Sequence, residues 1–316
     1  MLYFIVHSGH LDVKVLSRLF LNPQSAALLL ALAAANLFLL IVRWYWIVND
    51  TLKPLSLVRS TQLSMIGNFF NFVFPSSIGG DVVRGFYLAQ DFPDQKMKAA
   101  LSVVVDRVIG LYSLICLGCF SLLWISVTRA NPALAWLTWS TCALFLGYTV
   151  VLIFLMTAGA QKLLTKITFQ PLQKSIAFLL GCHDYLRECL KNPWLFLKTF
   201  FVGLFSQALV SVFFYVVAVY IGQEGVSFVD LLSITPLGFL VMSIPIAPAG
   251  IGVGQVAYLF LMKQVTGEAS EFGPTAISAF QLSLLLWSFF GGWFYLTLKK
   301  PKELKEGLYA RTGDRS

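Results

Sequence analysis

Apolar residues run along this chain in blocks whose lengths decide its class before any single residue is considered. Ala26 to Val48, Ala133 to Met156, Phe200 to Ile221 and Thr275 to Leu298 are nearly continuous apolar runs, and Leu101 to Val127 is a fifth with Asp106 and Arg107 near its start. A helix needs about 20 apolar residues to cross a hydrocarbon core of ~30 Å, so each run predicts a membrane-spanning helix. Two other segments follow a different pattern. From Leu57 to Gln90 the chain is apolar up to Phe74, breaks at "PSSIGG" and resumes as "DVVRGFYLAQ". From Phe228 to Val265 apolar arms again flank a break rich in proline and glycine. Each arm is too short to cross, so both segments predict re-entrant or broken helical hairpins. Backbone that leaves the helix at membrane depth carries N–H and C=O groups costing several kcal/mol each unless protein, water or ligand pairs them, so such a break is expected to line a cavity.

The two breaks resemble one another. Pro75-Ser-Ser-Ile-Gly and Pro248-Ala-Gly-Ile-Gly share the pattern P-x-x-I-G, and each sits inside a unit of span, hairpin, span. One extra span separates the units, which forces them into opposite orientations. The fold class expected is therefore an all-α polytopic membrane protein built as an inverted repeat of span, re-entrant hairpin, span units. Residues 1–25 form a short N-terminal segment, because "MLYFIV" is too short to span and lacks the flanks of a signal peptide. A single membrane domain covers 26–298, with halves of about 26–127 and 199–298, a linker span at 133–157 and an amphipathic segment at 158–198. Residues 299–316 form a basic tail. Paired breaks in inverted halves point to a binding site near the midplane.

Composition agrees and adds an orientation. The chain has 316 residues, 58% hydrophobic and 12% charged, where a soluble domain carries about 25% charged residues. That removes nucleic acid as the reason for the net charge of +8, which reports topology instead. With the tail inside, the segment 158–198 is inside too, and Arg43, Lys53, Arg59, Lys96 and Lys98 join it. Only Lys14, Arg18, Arg129 and Lys263 lie toward the other face. A multi-pass protein of the cytoplasmic (inner) membrane with a cytoplasmic C-terminus is expected. In the amphipathic segment, Ile176, Leu179, Leu180, Leu186 and Leu190 share a face with lysines off it, which predicts an interfacial helix on an anionic leaflet. The five cysteines form no disulfide framework, and His7, His10 and His183 lack partners at metal-ligand spacing. No metal or other cofactor is expected.

Candidate chemistry concentrates at the first break. A helix restarting at Asp81 aims its N-terminal N–H groups at the break, where an anion would dock, with Asp81 as N-cap, as part of the site, or both. Arg84, Asp106 and Arg107 are charges at depth, each expected to face a partner or a wet cavity. Either they pair, Arg84 with Asp106 or Asp81 with Arg107, or the two arginines face one cavity and grip phosphate oxygens while the aspartates hold them. Asn68 and Asn71 add amide donors or pair the broken backbone. Gly79 and Gly80 let the backbone approach a ligand closely. In the second half the polar groups after the break are Gln255 and Tyr258, and Gln255 is a candidate ligand group together with Pro248, Gly250 and Gly252 of that break and Pro75 of the first.

At these residues the chain resembles a known family. The blocks "NFFNFVFPSSIGGDVVRGFYL", "SVVVDRVIGLYSL" and "PIAPAGIGVGQVAY" are similar to the lysylphosphatidylglycerol synthase transmembrane, flippase-like family, also called uncharacterised protein family 0104. Pro75, Gly79, Gly80, Asp81, Arg84, Asp106, Arg107, Gly110, Pro248, Gly250, Gly252 and Gln255 match its motifs over about Ala26 to Leu298. The N-terminus departs from the pattern, since similar members begin with a complete first helix. The resemblance implies lipid transport: a flippase for an anionic lipid, either polyprenyl-phosphate-linked or similar to aminoacyl-phosphatidylglycerol, moved without chemical change. Its partners would be membrane lipids and no nucleic acid. Two other classes compete. A scaffold for a lipid-synthesis or glycan-synthesis enzyme needs only packing surfaces, and a membrane glycosyltransferase needs acids on a substantial outer loop, whereas Glu224, Asp230, Glu268 and Glu271 are scattered.

Overall fold

In a computed structural model the described residues are 13–52, 54–74, 78–129, 134–157, 173–244, 246–267 and 270–298. They are all-helical: α1 Val13–Leu21, α2 Pro23–Thr51, α3 Leu57–Val73, α4 Gly79–Asp91, α5 Lys96–Arg129, α6 Ala135–Met156, α7 Gln173–Lys191, α8 Pro193–Ile221, α9 Phe228–Met242, α10 Val253–Thr266 and α11 Phe272–Thr297, with single 3-10 turns at Pro93–Gln95 and Pro248–Gly250. Five helices, α2, α5, α6, α8 and α11, are long and apolar enough to cross a membrane. The chain is a polytopic all-α membrane protein.

The helices start and stop where their end chemistry dictates. α2 and α8 open with the same pair: Asn22 and Asn192 are N-caps whose side chains accept from Gln24 N–H and Leu195 N–H, and each is followed by proline in the first turn. That proline has no N–H to orphan and its φ is already helical. Both helices therefore begin earlier than their apolar runs. α9 opens with a capping box between Ser227 and Asp230.

Each long helix buries one face and leaves the other to lipid. α2 lies along α8, α3 packs on α11, α9 packs on α5, and the short pairs α3/α4 and α9/α10 each fold back on themselves. One apolar core collects Leu29, Phe213, Phe214, Ile234, Tyr258, Ile277 and their neighbours, and a second gathers Trp44, Leu63, Leu88 and Val103 under the first pair. The two ends of the bundle are tied separately. At one, Lys98 pairs with Glu188 at 2.8 Å and Asn192 donates to Asp50 at 2.8 Å. At the other, Ser270 donates to Gln223 at 3.3 Å.

α7 corrects the expectation of a helix lying only on the bilayer. Its residues Tyr185, Leu186 and Cys189 are buried against Ile47, Leu101, Val105, Ile109 and Leu195, so that face docks on protein. Tyr185 also shares a 2.5 Å hydrogen bond with Thr51. The stretch 158–172, and the side chains of Ile176 and Leu179, lie outside the described residues, as do residues 1–12 and the tail.

Candidate functional site

The first break is held by close backbone approach. A Cβ added to Gly80 would collide with the carbonyl oxygen of Gly67, so α3 and α4 touch at a distance only glycine permits. Asn71 Oδ1 accepts the Gly80 N–H at 3.0 Å, and Asn68 Nδ2 donates to the carbonyl of Leu284 on α11 at 3.2 Å. Both asparagines thus brace backbone, and both also line a cavity. Pro75 lies outside the described residues.

Asp81 is not the N-cap. α4 begins at Gly79 with Ile78 in the cap position and no side-chain cap bond. The Asp81 carboxylate is turned instead to Arg84 Nη2 at 3.2 Å and to Arg107 Nε in a short contact. Asp106 takes Arg84 Nη2 at 3.3 Å and Arg43 Nε at 2.8 Å. The result is an alternating chain, Arg43, Asp106, Arg84, Asp81, Arg107, linking α2, α5 and α4. Arg84 stacks on Trp44, with Cζ 4.4 Å from the ring centroid. Its Nε is buried with no partner among the described residues.

The two pairings that the sequence offers as alternatives, Arg84 with Asp106 and Asp81 with Arg107, are both present, as parts of a larger network. Sequence reasoning placed Arg43 among the loop charges of the basic end. The structure corrects this: Arg43 is 7% exposed and sits in the bundle interior. The signal was available, because "LLIVRWYWIV" sets one arginine inside an apolar run, where a charge needs a partner.

Two adjoining chambers open beside this network. The smaller, about 160 Å³, is lined by Arg43, Asn68, Asn71, Asp81, Arg84, Asp106 and Arg107. The larger, about 280 Å³, shares Arg43, Asn68, Asn71 and Arg107 and adds Asn36, Ser206, Gln207, Ala249 and Gln281. The larger chamber therefore receives side chains from both halves, and the turn Pro248–Gly250 packs on α3.

At the second break Ala249 and Gly250 both have positive φ, 47° and 69°. A Cβ on Gly250 would stand 2.7 Å from the Met242 Cε. Gln281 Nε2 donates to the Ala249 carbonyl at 3.1 Å, pairing one of the groups freed by the break. Gln255 does not line either chamber. Its Oε1 accepts the Gly252 N–H at 2.7 Å and its Nε2 donates to Ser278 and Gln281, so it is a brace for the restart of α10. Tyr258 is fully buried and donates to the Thr235 carbonyl at 2.9 Å.

Three guanidiniums against two carboxylates leave the chamber one positive charge in excess, next to an irregular backbone and a row of carboxamides. Guanidiniums and carboxamides in such an arrangement have the chemistry to pair with an anion and to hydrogen-bond the groups around it. No curated protein and no solved structure matches the chain. The family described as the lysylphosphatidylglycerol synthase TM region matches residues 2–298. The chain belongs to that family, as the order of its breaks and charges anticipates.

Proposed function

We propose that this protein moves an anionic lipid between leaflets, with the head group passing through the two chambers while the chains stay in the bilayer, and that it does so without altering the lipid. The observation that carries this is the lining of the chambers: a net-positive, carboxamide-lined space among helices long and apolar enough to cross a membrane, with Asn71, Asp81 and Ala249 in its walls. A charge at that depth costs a few kcal/mol or more, and the excess guanidinium offsets part of that cost for a phosphate. The substrate class proposed is a polyprenyl-phosphate-linked lipid or one similar to aminoacyl-phosphatidylglycerol.

An inverted repeat of span, re-entrant hairpin, span units accompanies this proposal, and several features support it. α2-α3-α4-α5 corresponds to α8-α9-α10-α11, and packing exchanges accordingly: α3 on α11 mirrors α9 on α5, while α2 meets its counterpart α8. The alignment that places Asn22 on Asn192 also places Asn36 on Ser206, and these two share a 2.5 Å hydrogen bond where an axis of pseudo-symmetry would pass. The sequence alignment that sets Pro75 against Pro248 also sets Gly118, packed on Leu237 of α9, against Gly291, packed on Met65 of α3. Transporters with such repeats rock one set of helices against the other around a fixed site. The end holding Lys98 and Arg187 is assigned to the cytoplasm by its excess of basic residues.

The test is reconstitution of the purified chain in liposomes with labelled candidate lipids, following leaflet exchange. Exchange should be faster than in empty vesicles and should fall at least tenfold in Arg107→Ala. Folded protein that accelerates exchange of no candidate would refute the proposal, and so would a chemically altered lipid.

A further inference from the structure

Arg43 is the more deeply buried of the two members of the charge chain that commit only Nε to a carboxylate. Its Nε goes to Asp106 at 2.8 Å, yet neither Nη atom has a hydrogen-bond partner among the described residues, although the side chain is more than nine-tenths buried and lines both chambers. Arg84 gives one Nη to both Asp81 and Asp106, while Arg107, like Arg43, bonds only through Nε, but its side chain is 47% exposed against 8% for Arg43 and so is not held in a closed seat. The Arg43 fork is also sterically seated. A Cβ on Gly110 would stand 3.0 Å from each Nη, and one on Gly203 would stand 3.5 Å from Nη1, so two helices present bare backbone to the guanidinium plane. A second observation points to the same ligand. Gln207 Oε1, in the wall of the larger chamber, is buried with no partner among the described residues, and a buried acceptor without a donor is costly.

Resting on the transport proposal above, we infer that Arg43 is the anchor for the head group, its Nη fork taking two oxygens of a phosphodiester where the chambers meet, and that the rest of the head group is uncharged and hydroxyl-bearing. The charge count sets the first half of this. One excess positive charge matches a phosphodiester, which carries one negative charge, better than a phosphomonoester carrying close to two. The lining sets the second. Asn36, Asn68, Asn71, Gln207 and Gln281 suit hydroxyl groups, whereas the carboxylates that line either wall among the described residues, Asp81 and Asp106, already hold guanidiniums, so an ammonium group finds no free counter-charge there. The two substrate types in the transport proposal are thereby separated: an aminoacylated, cationic head group is disfavoured.

The experiment measures binding, not transport. Purified full-length protein in detergent is titrated with phosphatidylglycerol, phosphatidate, lysyl-phosphatidylglycerol, phosphatidylcholine and water-soluble glycerophosphoglycerol. Phosphatidylglycerol should bind at least about tenfold more tightly than the other four, the loss expected when a charge-assisted pair is missing. Arg43→Gln should abolish the preference. Arg43→Lys keeps the charge and removes the fork, while Gly110→Ala crowds the fork and keeps every charge. Each should weaken phosphatidylglycerol binding about tenfold with the lipid-free unfolding midpoint near that of the parent, so the inference stays testable if Arg43→Gln does not fold. Unchanged binding in both Arg43→Lys and Gly110→Ala would overturn the inference, as would lysyl-phosphatidylglycerol binding as tightly as phosphatidylglycerol. Equal binding of glycerophosphoglycerol would overturn the assignment to a lipid. Selective, Arg43-dependent binding without leaflet exchange would sink the transport proposal and leave this one standing. Exchange that is indifferent to Arg43→Lys and Gly110→Ala would do the reverse.

Discussion

Replacing Asp106 with asparagine tests the charge chain at its centre. Asp106 is 4% exposed and accepts from two guanidiniums, Arg43 at 2.8 Å and Arg84 at 3.3 Å. A hydrogen bond to a charged partner nets about 1.5–3 kcal/mol, so the two together represent ~3–6 kcal/mol. An independent route gives a similar figure, since breaking a buried pair and orphaning its partner costs about 3–5 kcal/mol. Asparagine keeps one acceptor oxygen, which places Asp106→Asn near ~3 kcal/mol and Asp106→Ala near the upper end. The exposed pair Arg59 with Asp91, whose side chains are 25% and 27% exposed, is the control, and Asp91→Asn should cost only ~0–1 kcal/mol. Unfolding free energies by steric trapping in bicelles read the difference directly. The geometry also shapes the cycle. Arg84→Ala with Asp106→Ala leaves Arg43 without its carboxylate and should recover stability only in part. Adding Arg43→Met should bring the protein to within about 1–2 kcal/mol of the parent, as apolar replacement of buried ion networks commonly does. An Asp106→Asn protein no less stable than Asp91→Asn would refute the argument, and so would full recovery in the double mutant with Arg43 intact.

Three further outcomes follow from particular contacts. Gly291→Ala should destabilise by about 2 kcal/mol or more in the same assay, because its Cβ would run into the Met65 carbonyl, whereas Gly147→Ala, with nothing within 4 Å, should be neutral or gain up to ~1 kcal/mol of helix propensity. The Cys189 thiol is pushed up to about 12, first by burial and then by the Glu188 carboxylate beside it. Its thiolate fraction at pH 8 is then ~10⁻⁴, so in a variant keeping only Cys189, maleimide labelling should be negligible in folded protein, rise about tenfold per pH unit, and become rapid in dodecyl sulfate. Cysteines placed at Lys98 and Glu271 in a cysteine-free background should react with impermeant reagents from opposite sides of the membrane, and labelling of both from one side would overturn the assigned topology.

Hydrophobic blocks made the five spans legible, but their ends were trimmed. Apolar runs stop where polar residues begin, while α2 and α8 start at the Asn-Pro pairs 22–23 and 192–193, whose capping chemistry is a separate signal from hydropathy. Asp81, Arg84, Asp106 and Arg107 were legible as a group because charge at membrane depth demands a reason, and the structure does gather them around one space. Arg43 was lost to the sorting of basic residues by loop, a rule that counts charges without asking whether each lies inside a span. Gln255 was read as a ligand group for standing just after the break. Its spacing from Gly252 is that of a capping box, so the bracing role was legible and overlooked. Which asparagine oxygen faces the backbone and which nitrogen the cavity depends on side-chain direction across helices, and no single-chain pattern carries that.

The packing of α3 on α11 has a consequence for biogenesis. Asn68 finds its acceptor on a residue 216 positions later in the chain, and Trp287 donates to a carbonyl of α2 257 positions earlier. An inserting ribosome completes α3 and α4 long before α11 exists, so the first hairpin leaves the translocon with Asn68 and the Met65 and Phe69 flank that α11 later covers still exposed. Contacts of such separation form last and leave interim surfaces exposed. Truncations that stop before Phe272 should therefore be recognised as unfinished by membrane quality control. In the cell, a nascent chain would be vulnerable to membrane proteases until its last helix enters the bilayer and closes the first.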